Sequence, residues 1–107
     1  FMLFGSPGGS RIITIALETF INVVDQGMNI QEAVDAPRFH HQWLPDVIQY
    51  EPHAFSPETM AELRGMGYKL KAYAPWGSAE AILVDPATGH LYGGVDDRHP
   101  EGAAAGY

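Results

Sequence analysis

The chain has 107 residues, 46% apolar and 18% charged, with thirteen acidic side chains against six basic ones and a net charge of −7. This is a globular composition, long enough to bury roughly two-thirds of its unfolded surface around one core. The acidic balance argues against nucleic acid as a partner and against docking on an anionic membrane, both of which need a basic footprint. The absence of cysteine rules out disulfides and thiolate chemistry but fits an exported protein as well as a cytosolic one.

Phe1 to Phe4 reads as an apolar strand, without the basic start and long apolar core of a signal peptide. No later run approaches the ~20 apolar residues of a membrane span. A start in the middle of an element is expected of a piece of a longer chain. The strand feeds Gly5-Ser6-Pro7-Gly8-Gly9-Ser10-Arg11, a glycine-rich turn leading into an apolar helix. Ser10 is the expected N-cap and Gly27 the expected stop. Between them Ile12, Ile13, Ile15, Ala16, Leu17, Phe20, Ile21, Val23 and Val24 cover more than a narrow stripe, so burial on most sides is expected.

Asn29 with Glu32 predicts a capping box and a short helix through Val34, ending before Pro37. Pro37 to Pro45 reads as an ordered loop rich in rings, carrying Phe39, His40, His41 and Trp43. Val47 to Glu51 is a short strand. Ser56-Pro57-Glu58 then starts a helix that turns Met60 and Leu63 inward and stops near Gly65 or Gly67. Tyr68 to Tyr73 alternates, with Tyr68, Leu70 and Ala72 on one face and Lys69 and Lys71 on the other. Ala79 to Val84, the turn Asp85-Pro86-Ala87-Thr88-Gly89 and Leu91 to Val95 form a hairpin. The tail from Asp96 to Tyr107 is turn-rich, and its Ala-Gly-Tyr ending is expected to be packed. One domain over residues 1–107 with an α+β fold is the expected organisation.

The glycine turn is the strongest candidate site. Glycine lets a backbone approach a ligand closely, and the first N–H groups of a helix lack intrahelical partners at the positive end of its dipole. Such a loop holds an anion or a developing oxyanion, unless it is only a strand-to-helix turn. A nucleotide loop would need Lys and then Ser or Thr after the last glycine, where Ser10 and Arg11 stand. Glycines at 5, 8 and 9 do not fit the dinucleotide fingerprint. In the oxyanion reading, the N–H groups of Gly8 and Gly9 face the negative oxygen.

The other clusters read as structural. Adjacent His40 and His41 point to opposite faces and cannot readily grip one ion, and His53, His90 and His99 lack ligand spacing, so no metal is expected. Asp96-Asp97-Arg98 reads as a tether rather than an acid–base pair. Asp35 and Arg38 are expected to form a local salt link, and Trp43 and Trp76 to pack.

Three segments together resemble the C-terminal part of the small subunit of γ-glutamyltranspeptidases. They are Gly5 to Ile12, Ala36-Pro37-Arg38-Phe39-His40-His41-Gln42-Trp43-Leu44-Pro45-Asp46, and Asp97-Arg98 with Gly102 to Tyr107. The resemblance implies part of an N-terminal-nucleophile hydrolase αββα sandwich, with antiparallel sheets between helical layers. It implies a proenzyme that cleaves itself into two subunits, and an N-terminal threonine that attacks the γ-glutamyl amide of glutathione with its own amine as base. The acyl group then passes to water or an amino acid, without a cofactor. Carried onto this chain, it assigns Gly8 and Gly9 to the oxyanion hole.

That threonine lies upstream in the family. Thr14, Thr19, Thr59 and Thr88 are internal, so this chain alone is expected to be inactive. The expected partners are the rest of the small subunit, the large subunit and a γ-glutamyl substrate, with self-association of the isolated piece. The family suggests a periplasmic or secreted location. The alternatives are an inactive structural or interaction module of the same fold, and a sibling amide acylase.

Overall fold

The computed structural model describes residues 1–106 and resolves into two compact units, Phe1–Ala36 with the segment from Gly77 onward and Pro37–Trp76. Tyr107, with its part of the expected packed ending, lies outside the described residues.

In the first unit, β1 (Met2–Gly5), β5 (Glu80–Val84) and β6 (Leu91–Val95) form an antiparallel sheet in the order β1-β5-β6. The β1–β5 register runs from Met2 opposite Leu83 to Gly5 opposite Glu80. β5 and β6 are the expected hairpin, from Val84 opposite Leu91 to Glu80 opposite Val95. Its turn is closed by the Asp85 carboxylate, which accepts from the Ala87 N–H at 2.8 Å and the Thr88 hydroxyl at 2.8 Å. The Ala87 N–H, then the Thr88 hydroxyl, hold this carboxyl below the ordinary carboxylate value.

Helix α1 (Ile12–Val24) and helix α2 (Ile30–Asp35) pack on this sheet. Ile15 and Thr19, four residues apart, are the two buried positions of α1. Its Phe20 ring lies 6.2 Å from Phe4 of β1. The expected burial on most sides is not found: Ile13 is 76% exposed, and Leu17 and Val24 are exposed as well. The apolar pattern exceeds the area that β1 and α2 cover within this unit. Gly27, at φ 69°, follows the helix end as expected.

The Asn29–Glu32 capping box forms in both directions. α2 then buries Ile30, Ala33 and Val34 on one face. Gly94 is what lets this helix sit close, since a Cβ there would stand 2.8 Å from the Ile30 carbonyl oxygen. The Gln31 amide continues the sheet edge: it donates to the Val95 carbonyl at 2.7 Å and accepts from the Val95 N–H at 3.3 Å. The tail runs past the opposite face of β6, where a Cβ on Gly93 would meet Ala104 at 2.7 Å. Ala103–Gly106 are exposed rather than packed, because they belong to no element and meet that face on one side only.

In the second unit, β2 (Phe39–His40) pairs antiparallel with β3 (Ile48–Tyr50), and β3 pairs parallel with β4 (Leu70–Ala72). The parallel pair departs from the expected all-antiparallel pattern. Helix α3 (Pro57–Gly65) is the cause, since it returns the chain to the same end before β4 begins. The Ser56 side chain caps α3 by accepting from the Thr59 N–H, with Pro57 opening the helix. Met60 and Leu63 are half-buried, and no α3 residue is fully buried. Tyr68 and Ala72 are exposed, so only Leu70 of the expected apolar face turns inward.

This unit is closed at its ends by Glu51, which is 2% exposed. Its carboxylate accepts from the Arg38 N–H at 3.0 Å and the Trp76 N–H at 2.9 Å, while the Arg38 guanidinium donates to the Trp76 carbonyl at 2.7 Å. One buried carboxyl group thus joins Arg38, next to the first residue of this 40-residue excursion, to Trp76, its last.

Candidate functional site

The glycine turn is built by the end of β1 and the start of α1. Pro7 biases Ser6 toward extended backbone, so the chain leaves β1 along the strand direction. Gly8 adopts φ 148° and ψ 14°, and Gly9 adopts φ 58°. Both lie in the region that favours glycine. A 3₁₀ turn over Gly9–Arg11 follows and merges into α1.

Ser10 therefore lies inside the helical turn instead of capping it. Gly8 occupies the cap of the 3₁₀ turn, and Arg11 precedes α1 without a side-chain cap. The early start moves the unpaired amides back onto the glycines. Among the described residues the N–H groups of Gly8 and Gly9 have no partner.

The carbonyls beside them are engaged. The Gly8 carbonyl accepts from the Arg11 N–H at 3.1 Å. The Pro7 carbonyl accepts from the Ser6 hydroxyl at 2.8 Å, and that hydroxyl also accepts from the Ser78 N–H at 3.0 Å. Sequence reasoning missed Ser6 and Ser78, because a bond between residues 72 apart has no local signature. An open groove of about 1300 Å³ beside the turn is lined by Gly5, Ser6, Pro7, Ser78, Gly93 and Ala104, among others. Gly8 and Gly9 are not part of its lining.

The remaining candidates separate into tethers and surface groups. Asp96 and Arg98 form the expected tether: the carboxylate accepts from the Arg98 guanidinium at 2.9 Å and from the Ala79 N–H at 2.7 Å. Asp35, Asp96 and Asp97 bring carboxylate oxygens within 4.8 Å of one another. Both Asp96 oxygens already accept N–H donors, and Asp35 accepts from the Asp97 N–H at 3.0 Å, which leaves little of the cluster for a cation.

The expected Asp35–Arg38 link is replaced. Asp35 accepts from Gln31 and Asp97, and Arg38 donates to Trp76. His40 bonds Gln42 at 2.9 Å and His41 bonds Asp46 at 3.1 Å, so the adjacent rings serve different partners. Trp76 is buried edge-on to Tyr73, with ring centroids 6.5 Å apart. Trp43 is not packed as expected: its backbone lies at φ 71° and it is 76% exposed.

A family model described as gamma-glutamyltranspeptidase matches residues 1–107, the whole length of the chain. The chain belongs to this family. It is similar to the glutathione hydrolase proenzyme of Escherichia coli K12, with 47% identity over 106 residues, covering 99% of this chain and 18% of the relative. The glutathione hydrolase proenzyme of Pseudomonas sp. A14 is 46% identical, with 99% and 20% covered. An acivicin-inhibited gamma-glutamyltranspeptidase structure superposes with a TM-score of 0.87 and 46% identity, covering 92% of this chain and 53% of that one. The Bacillus anthracis transpeptidase CapD, 23% identical with a TM-score of 0.82, shares the α+β fold. The chain thus spans about a fifth of these curated gamma-glutamyltranspeptidase relatives.

Proposed function

We propose that this chain carries the oxyanion loop of a gamma-glutamyltranspeptidase that hydrolyses γ-glutamyl amides such as glutathione or transfers the γ-glutamyl group to amino acids. The observation that supports it most is the pair of adjacent, unpartnered amides on Gly8 and Gly9 at a helix start, within a chain of this family. In this reading, a threonine hydroxyl elsewhere in the full-length protein adds to the γ-carbonyl while its α-amine takes the proton. The carbonyl oxygen becomes an alkoxide and accepts from both glycine amides. Collapse expels the amine, which leaves with a proton. Water or an amino acid then attacks the ester through a second oxyanion held by the same amides.

None of the chain's own threonines suits the nucleophile's task. Thr14 and Thr19 donate to helix carbonyls, Thr59 meets Ser56, and Thr88 donates to Asp85. The test is hydrolysis of a γ-glutamyl anilide by the full-length protein and by residues 1–107 alone. Turnover by the first and none by the second is expected; turnover by residues 1–107 alone would overturn the placement of the nucleophile.

The same reading places the rest of the small subunit and the large subunit against the exposed apolar side chains of Leu3, Ile13 and Leu17. Residues 1–107 expressed alone are therefore expected to self-associate. A monomer by light scattering at high concentration counts against this.

A further inference from the structure

We infer that Ser6 is a positioning residue that aims the Gly8 amide at the reacting oxygen. The inference deepens the acyl-transfer reading above and rests on it. A trans peptide unit is planar, and its C=O and N–H point in opposite directions. Fixing the carbonyl of one residue therefore fixes the direction of the next residue's N–H. The Gly8 N–H shares its plane with the Pro7 carbonyl, which the Ser6 hydroxyl holds at 2.8 Å. The Gly9 N–H shares its plane with the Gly8 carbonyl, which the Arg11 N–H holds at 3.1 Å.

The two donors are thus aimed by different devices. Helical backbone holds the second plane and survives any side-chain change. A single hydroxyl holds the first. That hydroxyl is itself anchored, because it accepts from the Ser78 N–H at 3.0 Å, just past the last registered pair of β1 and β5 at Gly5 and Glu80. Ser78 is buried and precedes Ala79, whose N–H is bonded to the fully buried Asp96. The chain of bonds therefore runs from a rigid sheet edge through Ser6 to the Pro7–Gly8 plane. A donor pre-aimed in this way stabilises developing charge without reorganisation, which is where such sites gain their rate.

The test uses the full-length protein carrying Ser6→Ala or Ser6→Thr, with rates expressed per titrated active site. Ser6→Ala is expected to lower kcat for a γ-glutamyl anilide about tenfold, the size of one orienting hydrogen bond, with KM within about twofold of wild type. It is expected to weaken a tetrahedral phosphonate analogue of the γ-carboxyl by a similar factor of about ten, while inhibition by glutamate itself stays unchanged. Ser6→Thr, which keeps a hydroxyl, is expected to restore most of both losses.

A wild-type kcat in Ser6→Ala overturns the inference. So does a loss shared equally by phosphonate and glutamate, or one that Ser6→Thr does not relieve, since either marks general disruption. If the wild-type protein itself turns over no γ-glutamyl anilide, the acyl-transfer reading fails first and this inference falls with it.

Discussion

In the full-length protein, Gly8→Ala will lower kcat for a γ-glutamyl anilide by about a hundredfold or more, the cost of losing one oxyanion donor, while KM changes far less. The substitution keeps the N–H, so the loss comes from direction. At φ 148° an alanine is strained, and its Cβ would stand 3.3 Å from the Cδ1 of Ile15 and 3.8 Å from the Cβ of Arg11. Ile15 is among the most deeply buried side chains of the first unit and has little room to retreat. Relief of that strain by rotation about Gly8 would swing its amide away from the oxygen that the proposed reading places there.

Gly9→Ala provides the control. Nothing lies within 4 Å of a Cβ there, and its φ of 58° is the left-handed region that costs about 1–2 kcal/mol. Its kcat should fall less, by about tenfold. The check is kcat and KM for both variants, with circular dichroism to confirm folding. A folded Gly8→Ala enzyme with kcat within about threefold of wild type would falsify the assignment of the Gly8 amide to the oxyanion.

How legible these features are depends on the range of the interaction that makes them. The β5–β6 hairpin follows from the turn chemistry of Asp85 to Gly89, and the α2 and α3 starts follow from Asn29 with Glu32 and Ser56 with Pro57. These are all contacts within a few residues, which a sequence displays directly. The direction of β4 is not of that kind. Residues 68–73 have strand character, but whether they pair parallel depends on where α3 delivers them. The apolar pattern of α1 is plain, yet nothing in it says which of its faces finds a partner; Ile15 does and Ile13 does not.

The site divides in the same way. Gly8 and Gly9 are visible because a helix start after glycines is a local pattern. Ser6 is in plain view within the same turn, but its role depends on an amide 72 residues away. Glu51 has the appearance of a polar residue ending a strand before Pro52. Its burial arises because Arg38 and Trp76, distant in sequence, both present N–H groups to it.

Asp96→Ala is expected to destabilise the full-length protein by about 3–5 kcal/mol in chemical denaturation, among the largest effects a single substitution here can have. Asp96 is 0% exposed. One oxygen accepts from the Ala79 N–H at 2.7 Å, and the other accepts from the Arg98 N–H at 3.0 Å and the Arg98 guanidinium at 2.9 Å. That guanidinium also donates to the carbonyls of Val34 at 3.2 Å and Ala36 at 3.1 Å, which lie at the C-terminal end of α2. One carboxylate thus joins the start of β5, the end of β6 and, through Arg98, the end of α2. Its removal strands a buried amide and a cation in a place from which water is largely excluded.

The expectation is asymmetric. Arg98→Leu alone should cost a comparable amount, because it leaves the carboxylate buried without its cation. The double variant Asp96→Ala/Arg98→Leu should cost clearly less than the sum, since most of each single loss is the penalty of the orphaned partner. Additive losses would show that the two side chains act independently. The pair also bears on the site, because the Ala79 amide it holds follows Ser78, which anchors Ser6. Asp96→Asn, which keeps one acceptor oxygen, should therefore lose kcat together with stability, whereas Ser6→Ala should lose kcat while its unfolding midpoint stays close to wild type. That contrast separates holding the sheet edge from aiming the amide.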